Sequence, residues 1–594
     1  MENIKSASMR TLKEKLNACH LLLNDGCAYK EINTNWLNKF CAKFFDLTNA
    51  LHDYMGHNLE EHVEMISLCL TQVVVCIRYL ECTFKAETAN GTVIPASRQH
   101  FLDRMRWCLE RLRSLHPSEE QSFLKIMDST LDILTTFNSD INETEGEEKD
   151  LLSISKQIRG NVDLILSHIL AFANVALQQD KKALSALCQK VLRECAAFQS
   201  ECEIKKSNRS NRNLRATSLE HALCQLEDYI NEALLRLVFT CFLDFDKFSI
   251  EKMRNVFRKM SSDDSIADEI IADFDVNVDR TTQIGIFAIA FSPNLKMRTK
   301  FRSCLASFES LDTSLVPALQ TTGSELHSEL LEQHFNEEVR KFKTALQEII
   351  DSRAFVSCYL EMLTVGIIAS EKQFNKSQLQ DLAQMSCALI EHFQLPINQK
   401  ILLKSKQGDY FQQYLQMVRE CKAILMCAAQ VEPQRIIKRF KILRTVLRKL
   451  HDGIATDHLE NTFHTTAGAS RDNLSVNVGM LEFMGTIPST SSILYDNSQR
   501  RKRVQRPMIG IRNTSTLNNL HGNAAQLNIT KTNNHGSVRR RESLRTVLFK
   551  RQNMTENPKL YNSICNESAS LQISDILDQL THLSSGLSVI EPRT

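Results

Sequence analysis

The chain has 594 residues, of which only 10 are proline and 17 are glycine, whereas average usage predicts about 70 of the two together. This scarcity excludes turn-rich sandwiches, barrels and propellers, which need both residues at their many turns, and it favours an all-α protein. The net charge of +2 excludes a uniformly basic, nucleic-acid-coating chain, but the charge is uneven: −9 over residues 1–434, +7 over 435–450 and +4 over 451–594.

Apolar residues recur at helical spacing through the first 450 residues. One such stripe steps by three and four positions, as the buried face of a bundle helix does, through Leu37, Phe40, Phe44, Leu47, Leu51 and Tyr54. The same spacing runs from Ile158 to Ala176 and from Leu184 to Cys202, so residues 150–203 form either one very long helix or two nearly continuous helices. Helices of this length favour elongated tandem bundles over a compact globule.

Turn-forming residues mark where these helices end. Asn90-Gly91 followed by Pro95 ends one helix, an acidic linker covers 138–150, and the composition of 205–215 predicts a basic polar loop. We place domain boundaries near residues 145 and 262. The expected organisation is an N-terminal helical bundle at 1–145, a long-helix bundle at 146–261, a bundle at 262–452 that ends in a basic amphipathic helix, and a tail at 453–594.

The tail at 453–594 differs in composition from the rest of the chain. It is rich in Asn, Ser and Thr, and the residues from 451 onward hold 8 of the 17 Gly and 4 of the 10 Pro. Such a composition buries too little apolar surface to fold, so we expect this tail to be largely disordered. An amphipathic segment at 571–587 either binds a partner or docks on the bundles as a terminal helix.

Three features favour the cytoplasm. Residues 1–5 do not begin an apolar signal region, and the longest clean apolar run, Ile284–Phe291, is far shorter than the roughly 20 residues that span a bilayer. The 18 Cys are scattered and form no C-x-x-C pair, which is typical of reduced core cysteines rather than of a disulfide framework. We therefore expect a cytoplasmic protein that is either free or peripherally bound to a membrane.

The sequence contains no recognisable catalytic motif. The phosphate-binding patterns G-x-x-x-x-G-K-[ST] and G-x-G-x-x-G are absent, and so is the G-x-S-x-G nucleophile elbow. His57 and His62 are five positions apart rather than four, so they do not share a helix face as zinc ligands would. We predict a chain without enzymatic activity, with no catalytic residues, no metal site and no cofactor.

The most informative segment is RIIKRFKILRTVLRKL at 435–450. Its apolar residues fall within a narrow arc at 100° per residue and its cations cover the opposite side, which is typical of a basic amphipathic helix. Two interpretations remain open: the cations dock on an anionic membrane or filament surface, or the segment is a bundle-terminal helix whose charges complement the acidic body. The candidate site residues are Arg435, Lys438, Arg439, Lys441, Arg444, Arg448 and Lys449.

Two further basic clusters lie in the tail. The first suits nuclear import, anionic lipid binding or plain solubility, and the second precedes Ser543 in the R-R-x-S pattern of basophilic kinases, where a phosphate would weaken attraction to a membrane. Aromatic residues are not interleaved with either cluster, so we expect no nucleic-acid partner, and a nuclear or nucleic-acid-associated scaffold is the alternative function. The clusters are Arg500, Arg501, Lys502, Arg503 and Arg506, and Arg539, Arg540 and Arg541.

Residues 279–319 carry a distinctive pattern. The segment QIGIFA at 283–288, followed by RSCLASFE at 302–309, resembles a helical pair of the vinculin/α-catenin family. In physical terms, Gly285 permits another helix to approach closely, and Arg302 lies on the next helix. The resemblance is specific over this segment and architectural over about residues 10–450.

The resemblance implies a chain of helical bundles without catalytic activity. Members of that family are cytoplasmic adaptors that link membranes or cell-adhesion complexes to actin. This shorter chain resembles a compact insect relative that organises actin as membranes invaginate during cellularization of the early embryo. The implied partners are the actin cytoskeleton, directly or through adaptors, and the anionic inner face of the plasma membrane, together with self-association or a contact between the acidic head and the basic tail.

Overall fold

The computed structural model describes residues 2–28, 34–58, 62–114, 122–138, 147–204, 208–259, 264–292, 294–321, 325–403 and 406–466. These residues form seventeen helices and no strand, which confirms the predicted all-α fold class. The first nine helices are α1 (Glu2–Ala28), α2 (Thr34–Asn58), α3 (Val63–Asn90), α4 (Pro95–Ser114), α5 (Phe123–Asn138), α6 (Glu147–Val175), α7 (Gln178–Glu203), α8 (Arg209–Lys247) and α9 (Ile250–Lys259). The other eight are α10 (Asp264–Phe291), α11 (Leu295–Gln320), α12 (Glu325–Ile349), α13 (Ser352–Lys372), α14 (Lys376–Gln394), α15 (Pro396–Leu402), α16 (Gln407–Met426) and α17 (Pro433–Thr466).

Helices α1–α4 pack together as one group. The apolar stripe predicted for residues 37–54 lies on α2, where Phe40 and Phe44 are fully buried with their rings stacked 6.0 Å apart. Helix α3 ends at Asn90 because Gly91 has a φ of 63°, a left-handed conformation that glycine adopts without steric cost. The predicted helix end at Asn90-Gly91 is therefore confirmed.

Residues 147–203 form two helices rather than one. Helix α6 ends at Val175 and α7 begins at Gln178, since Leu177 between them is extended, with φ −63° and ψ 150°. The Lys181 ammonium group donates to the Asn174 carbonyl oxygen at 2.8 Å, which satisfies a carbonyl that the end of α6 leaves free. The two helices pack against each other as a hairpin, so the continuous helix among the predicted alternatives is wrong.

The predicted polar loop at 205–215 is helical from residue 209 onward, and that prediction was wrong there. Helix α8 begins at Arg209 because the Asn208 side chain accepts a hydrogen bond from the Ser210 N–H at 3.1 Å, as an N-cap does. Helix α8 spans 39 residues, about 58 Å at 1.5 Å per residue. Its first part packs on α7 and its last part on α13, where Phe239 stacks on Phe355 at 4.3 Å, so α8 connects two groups of helices.

Helices α9–α12 form one of the remaining groups, and α13–α17 form the other with the end of α8. Between α10 and α11, a Cβ on Gly285 would lie 2.6 Å from Leu305 Cδ2, which is closer than real atoms approach. The prediction that Gly285 permits close helix approach is therefore confirmed. The glycine removes the side chain that would separate the two helices.

Polar side chains join α3 and α4 to α11 and α12. Gln72 of α3 is 2% exposed, and its amide donates to both the carbonyl oxygen and the hydroxyl of Ser303 at 2.9 Å. Tyr79 of α3 donates to a Glu337 carboxylate oxygen of α12 at 2.7 Å. These contacts connect the first predicted domain with the third; the domain boundaries themselves stay a prediction, and α17 continues past residue 452.

Two of the described helices are long and apolar enough to cross a membrane by length and composition alone, α3 and α13. Neither helix is an uninterrupted apolar run, because charged residues such as Arg78 in α3 and Glu361 in α13 interrupt them. Other helices bury 78% of the most apolar stretch of α3, as expected for a core helix of a bundle. The corresponding share for α13 is 44%, so α13 leaves apolar surface uncovered.

Candidate functional site

The basic segment predicted at 435–450 lies on α17. Pro433 occupies the first helical position, where its missing N–H would have had no partner in the helix. The predicted apolar arc is buried against α13 and α16, which confirms the helix and its orientation. The residues of this arc are all 0% exposed: Ile436, Phe440, Leu443, Leu447 and Leu450.

The cations of α17 lie on the side away from this core. Arg444 is half-buried, and the other six are exposed: Arg435, Lys438, Arg439, Lys441, Arg448 and Lys449. The buried arc therefore holds the helix in the bundle, and the cationic side chains on the opposite side face outward. The buried face fits a helix of the bundle, and the exposed cations leave docking on an anionic surface open, so both interpretations of this segment stay predictions.

Three of the seven cations have a carboxylate partner. Arg439 contacts Glu420 of α16 at 2.9 Å, and Lys441 forms an ion pair with Glu371 of α13. Arg435 lies 4.0 Å from Glu432 in a pair whose side chains are both nearly four-fifths exposed, which contributes little in water. Among the described residues, the cations without a carboxylate within ion-pair distance are Lys438, Arg444, Arg448 and Lys449.

Apolar side chains beside these cations were missed by sequence reasoning. Val365 and Ile368 of α13 are 59% and 45% exposed, and Ile442 of α17 is 36% exposed. The signal that could have found them is the composition of 352–372, which is apolar around most of the helix. Such a pattern predicts a fully buried helix, and only the packing shows which face stays uncovered.

A cluster of histidines lies between α4 and α12. His334 is 4% exposed, and its ring centroid lies 4.3 Å from that of Tyr79, while His327 Nδ1 shares a hydrogen bond of 2.8 Å with Ser97. Burial lowers the pKa of His334 well below its usual range and lowers the pKa of His100 to about 4. These neutral imidazoles pack a helix interface, so they do not form the open cleft that acid–base catalysis requires.

The described part of the chain offers no group of three or more His, Cys, Asp and Glu side chains that could hold a metal ion. One cleft of about 220 Å³ lies where α8 and α9 meet α12, lined by Phe248, Phe335 and Glu332 among others. The Glu332 carboxylate is paired with Arg254, and the exposed Glu251 also lines this cleft.

The other predicted site residues lie outside the described residues. These are the two basic clusters of the tail at 500–506 and 539–541, and Ser543. The amphipathic segment at 571–587 lies there as well. Their roles stay predictions from the sequence.

Comparison with protein families identifies the family to which the chain belongs. The family model described as Serendipity locus alpha protein (SRY-A) matches residues 9–579. The chain belongs to this family. The Serendipity locus protein alpha of Drosophila virilis is 41% identical over 473 residues, which cover 75% of this chain and 87% of the relative. The protein of the same name from Drosophila pseudoobscura pseudoobscura is 38% identical over 494 residues, 77% of this chain and 88% of the relative.

A solved structure confirms the resemblance of the fold to the vinculin/α-catenin family. A vinculin homolog from a sponge superimposes with a TM-score of 0.50 at 12% identity, over 85% of this chain and 64% of that chain. At this identity the likeness concerns the fold alone. The resemblance predicted from residues 279–319 is therefore confirmed in its architecture.

Proposed function

We propose that the chain is a non-enzymatic cytoplasmic adaptor at the inner face of the plasma membrane, where it helps to organise actin filaments during membrane invagination in the early insect embryo. Support comes from its family, from a fold shared with a vinculin homolog, and from the outward-facing cations of α17. The observation that carries the membrane part is the set of four cations at 438–449 that have no carboxylate partner among the described residues, on a helix whose opposite face is buried.

The spacing of these cations suits a surface better than a pocket. Positions 438 and 449 are eleven residues apart, which is about 16 Å along a helix. Each Lys or Arg near an anionic membrane contributes about 1 kcal/mol, so the four together supply about 4 kcal/mol. That corresponds to a dissociation constant in the millimolar range. The basic clusters of the tail would add to this attraction wherever they reach the same membrane.

The test is co-sedimentation of the full chain with phosphatidylserine-containing vesicles and with actin filaments. In the variant, Lys438, Arg444, Arg448 and Lys449 become Glu. We expect vesicle binding to weaken by at least about a hundredfold, because each attraction becomes a repulsion. Binding of the wild-type chain should also fall as salt screens the charges.

A matched variant controls for net charge alone. Four exposed cations of α5, α6 and α7 become Glu in it, namely Lys125, Lys156, Lys182 and Arg193. We expect this control to bind vesicles like the wild type. Equal binding by all three chains would show that α17 has no part in membrane attachment and would overturn the membrane part of the proposal.

Localisation in embryos tests the proposed role in actin organisation and membrane invagination. We expect a fluorescent fusion at the cell cortex together with actin while membranes invaginate, and less cortical signal for the α17 variant. Disturbed cortical actin in embryos that lack the protein would support the role in cellularization. Steady accumulation in nuclei would favour the alternative of a nuclear scaffold.

A further inference from the structure

The exposed apolar residues of α13 adjoin the cations of α17. Successive helices of this group alternate in direction: Ser352 meets His392 across α13 and α14, Phe393 meets Phe411 across α14 and α16, and Gln407 meets Gly453 across α16 and α17. Helices α13 and α17 are therefore antiparallel.

The ion pair of Lys441 with Glu371 fixes the register of α13 and α17. In an antiparallel pair, each step back along α13 corresponds to a step forward along α17. Ile368 is therefore level with Arg444, and Val365 is level with position 447, one residue before Arg448. Val365 and Ile368 are three residues apart, so they share one helix face, and Ile368 is in turn three residues from Glu371.

Together these side chains form one surface, which we call the α13–α17 surface. It comprises Val365 and Ile368 of α13, and Lys438, Ile442, Arg444, Arg448 and Lys449 of α17. The nearby carboxylates are Glu371, which is paired with Lys441, and the exposed Glu361 and Asp452. The four cations outnumber Glu361 and Asp452, and Asp452 itself contacts the ring of His451 at 3.3 Å, so the surface is positively charged.

Exposed aliphatic side chains flanked by cations match the chemistry of one partner, an anionic lipid bilayer. Phosphate and serine headgroups attract the cations, and the boundary between headgroups and acyl chains accepts aliphatic tips. An acidic filament would pair with the cations but would not by itself explain two branched aliphatic residues held in water next to them. We propose that the α13–α17 surface docks on an anionic bilayer with Val365 and Ile368 inserted at headgroup depth, an inference that rests on the proposed function.

Insertion adds a second, apolar contribution to the attraction of the cations. Stable membrane attachment usually requires two signals, and here the α13–α17 surface would supply both. The test replaces Val365 and Ile368 by Ser in the full chain, which leaves the charge unchanged. We expect binding to phosphatidylserine-containing vesicles to fall by about tenfold relative to the wild type. The matched control, Leu164→Ser with Leu170→Ser, removes two comparably exposed aliphatic side chains of α6 and should bind like the wild type.

The outcomes separate this inference from the proposed function. If the serine variant binds like the wild type while the α17 charge reversal abolishes binding, insertion is refuted and the proposed function stands. If the charge reversal also leaves binding intact, the membrane part of the proposed function fails first. Loss of actin co-sedimentation by the serine variant, with vesicle binding retained, would assign the surface to the filament and overturn the inference.

A second measurement reports insertion directly. In an Ile368→Trp variant, we expect vesicles to shift the added tryptophan emission to the blue and brominated lipids to quench it. The wild-type chain, whose only tryptophans are Trp36 and Trp107, provides the background signal for subtraction. Emission that is already blue-shifted without vesicles and does not respond to them would show that the chain covers this surface itself, which would contradict bilayer docking.

Discussion

Arg302 of α11 forms an ion pair with Glu64 of α3, with 3.0 Å between Nη2 and Oε2. Arg298, one turn earlier, contacts the other oxygen of the same carboxylate at 3.2 Å. Both guanidinium groups belong to the segment that resembles a helical pair of the vinculin/α-catenin family. The pair therefore connects that helical pair to the N-terminal group of helices, through side chains that are less than one third exposed.

We expect Arg302 and Glu64 to be energetically coupled. A double-mutant cycle with Glu64→Gln and Arg302→Met should give a coupling free energy of about 1 kcal/mol, because partial burial strengthens a pair that would be weak on the surface. The measurement is hydrogen–deuterium exchange of the amides of α3 and α11. Additive effects of the two substitutions would show that the pair does not stabilise the contact between these helices.

Because α10 and α11 approach closely at Gly285, we expect the effect of Gly285→Ala on stability to depend on Leu305. Gly285→Ala should destabilise the chain, because the new Cβ forces Leu305 to move. In a Leu305→Ala background the same change should stabilise by about 1 kcal/mol, since alanine is the better helix former. Thermal unfolding followed by circular dichroism measures both.

Gly160 provides the matched control, because a Cβ there would meet nothing within 4 Å. Gly160→Ala should stabilise the wild-type chain by about 1 kcal/mol through helix propensity alone. If Gly285→Ala also stabilised the wild type, the steric reading of Gly285 would be wrong.

The ion pair of Asp180 and Arg236 predicts a large loss of stability when one partner is removed. The two groups lie 2.9 Å apart, Asp180 is 1% exposed, and Tyr229 also donates to its carboxylate at 2.8 Å. Arg236→Met should destabilise the contact of α7 with α8 by about 3–5 kcal/mol, because it leaves a buried carboxylate without its cation. The combination with Asp180→Leu should recover most of this loss in thermal unfolding. A combination no more stable than Arg236→Met alone would contradict the assignment to charge burial.

Stability should decrease as the pH falls from about 6.5 toward 4. Burial, His327 and Arg104 lower the pKa of His100 to about 4, against a partial opposing effect of Asp103. In this window the unfolded chain binds a proton that the folded chain rejects, so acid favours unfolding. Burial also lowers the pKa values of His334 and His392, so their protonation in acid favours unfolding as well. Comparing the Tm of the wild type and of His100→Gln at pH 7.5 and 5 tests this: the variant should lose less stability in acid, and an identical loss would exclude His100 as a contributor.

The sequence determined which residues form helices and which side of each helix is buried. The scarcity of Gly and Pro and the spacing of the apolar residues sufficed, because burial of one face every 3.6 residues is a local property of the chain. The stripe of α2 and the arc of α17 were both predicted in this way. The residues 209–215 were misassigned because their polar composition suits a loop and an exposed first turn equally well, and only the Asn208 cap distinguishes them.

The tertiary structure decided which helices meet and which exposed residues become neighbours. Nothing local in the sequence pairs Gln72 with Ser303, or makes Ile368 level with Arg444, because these relationships depend on the direction and register of helices far apart in the chain. The unequal charge along the chain likewise needed the tertiary structure before its exposure was known. The sequence located the cationic helix at 435–450, and the packing on α13 and α16 determined that its cations face outward and that four of them have no carboxylate partner among the described residues.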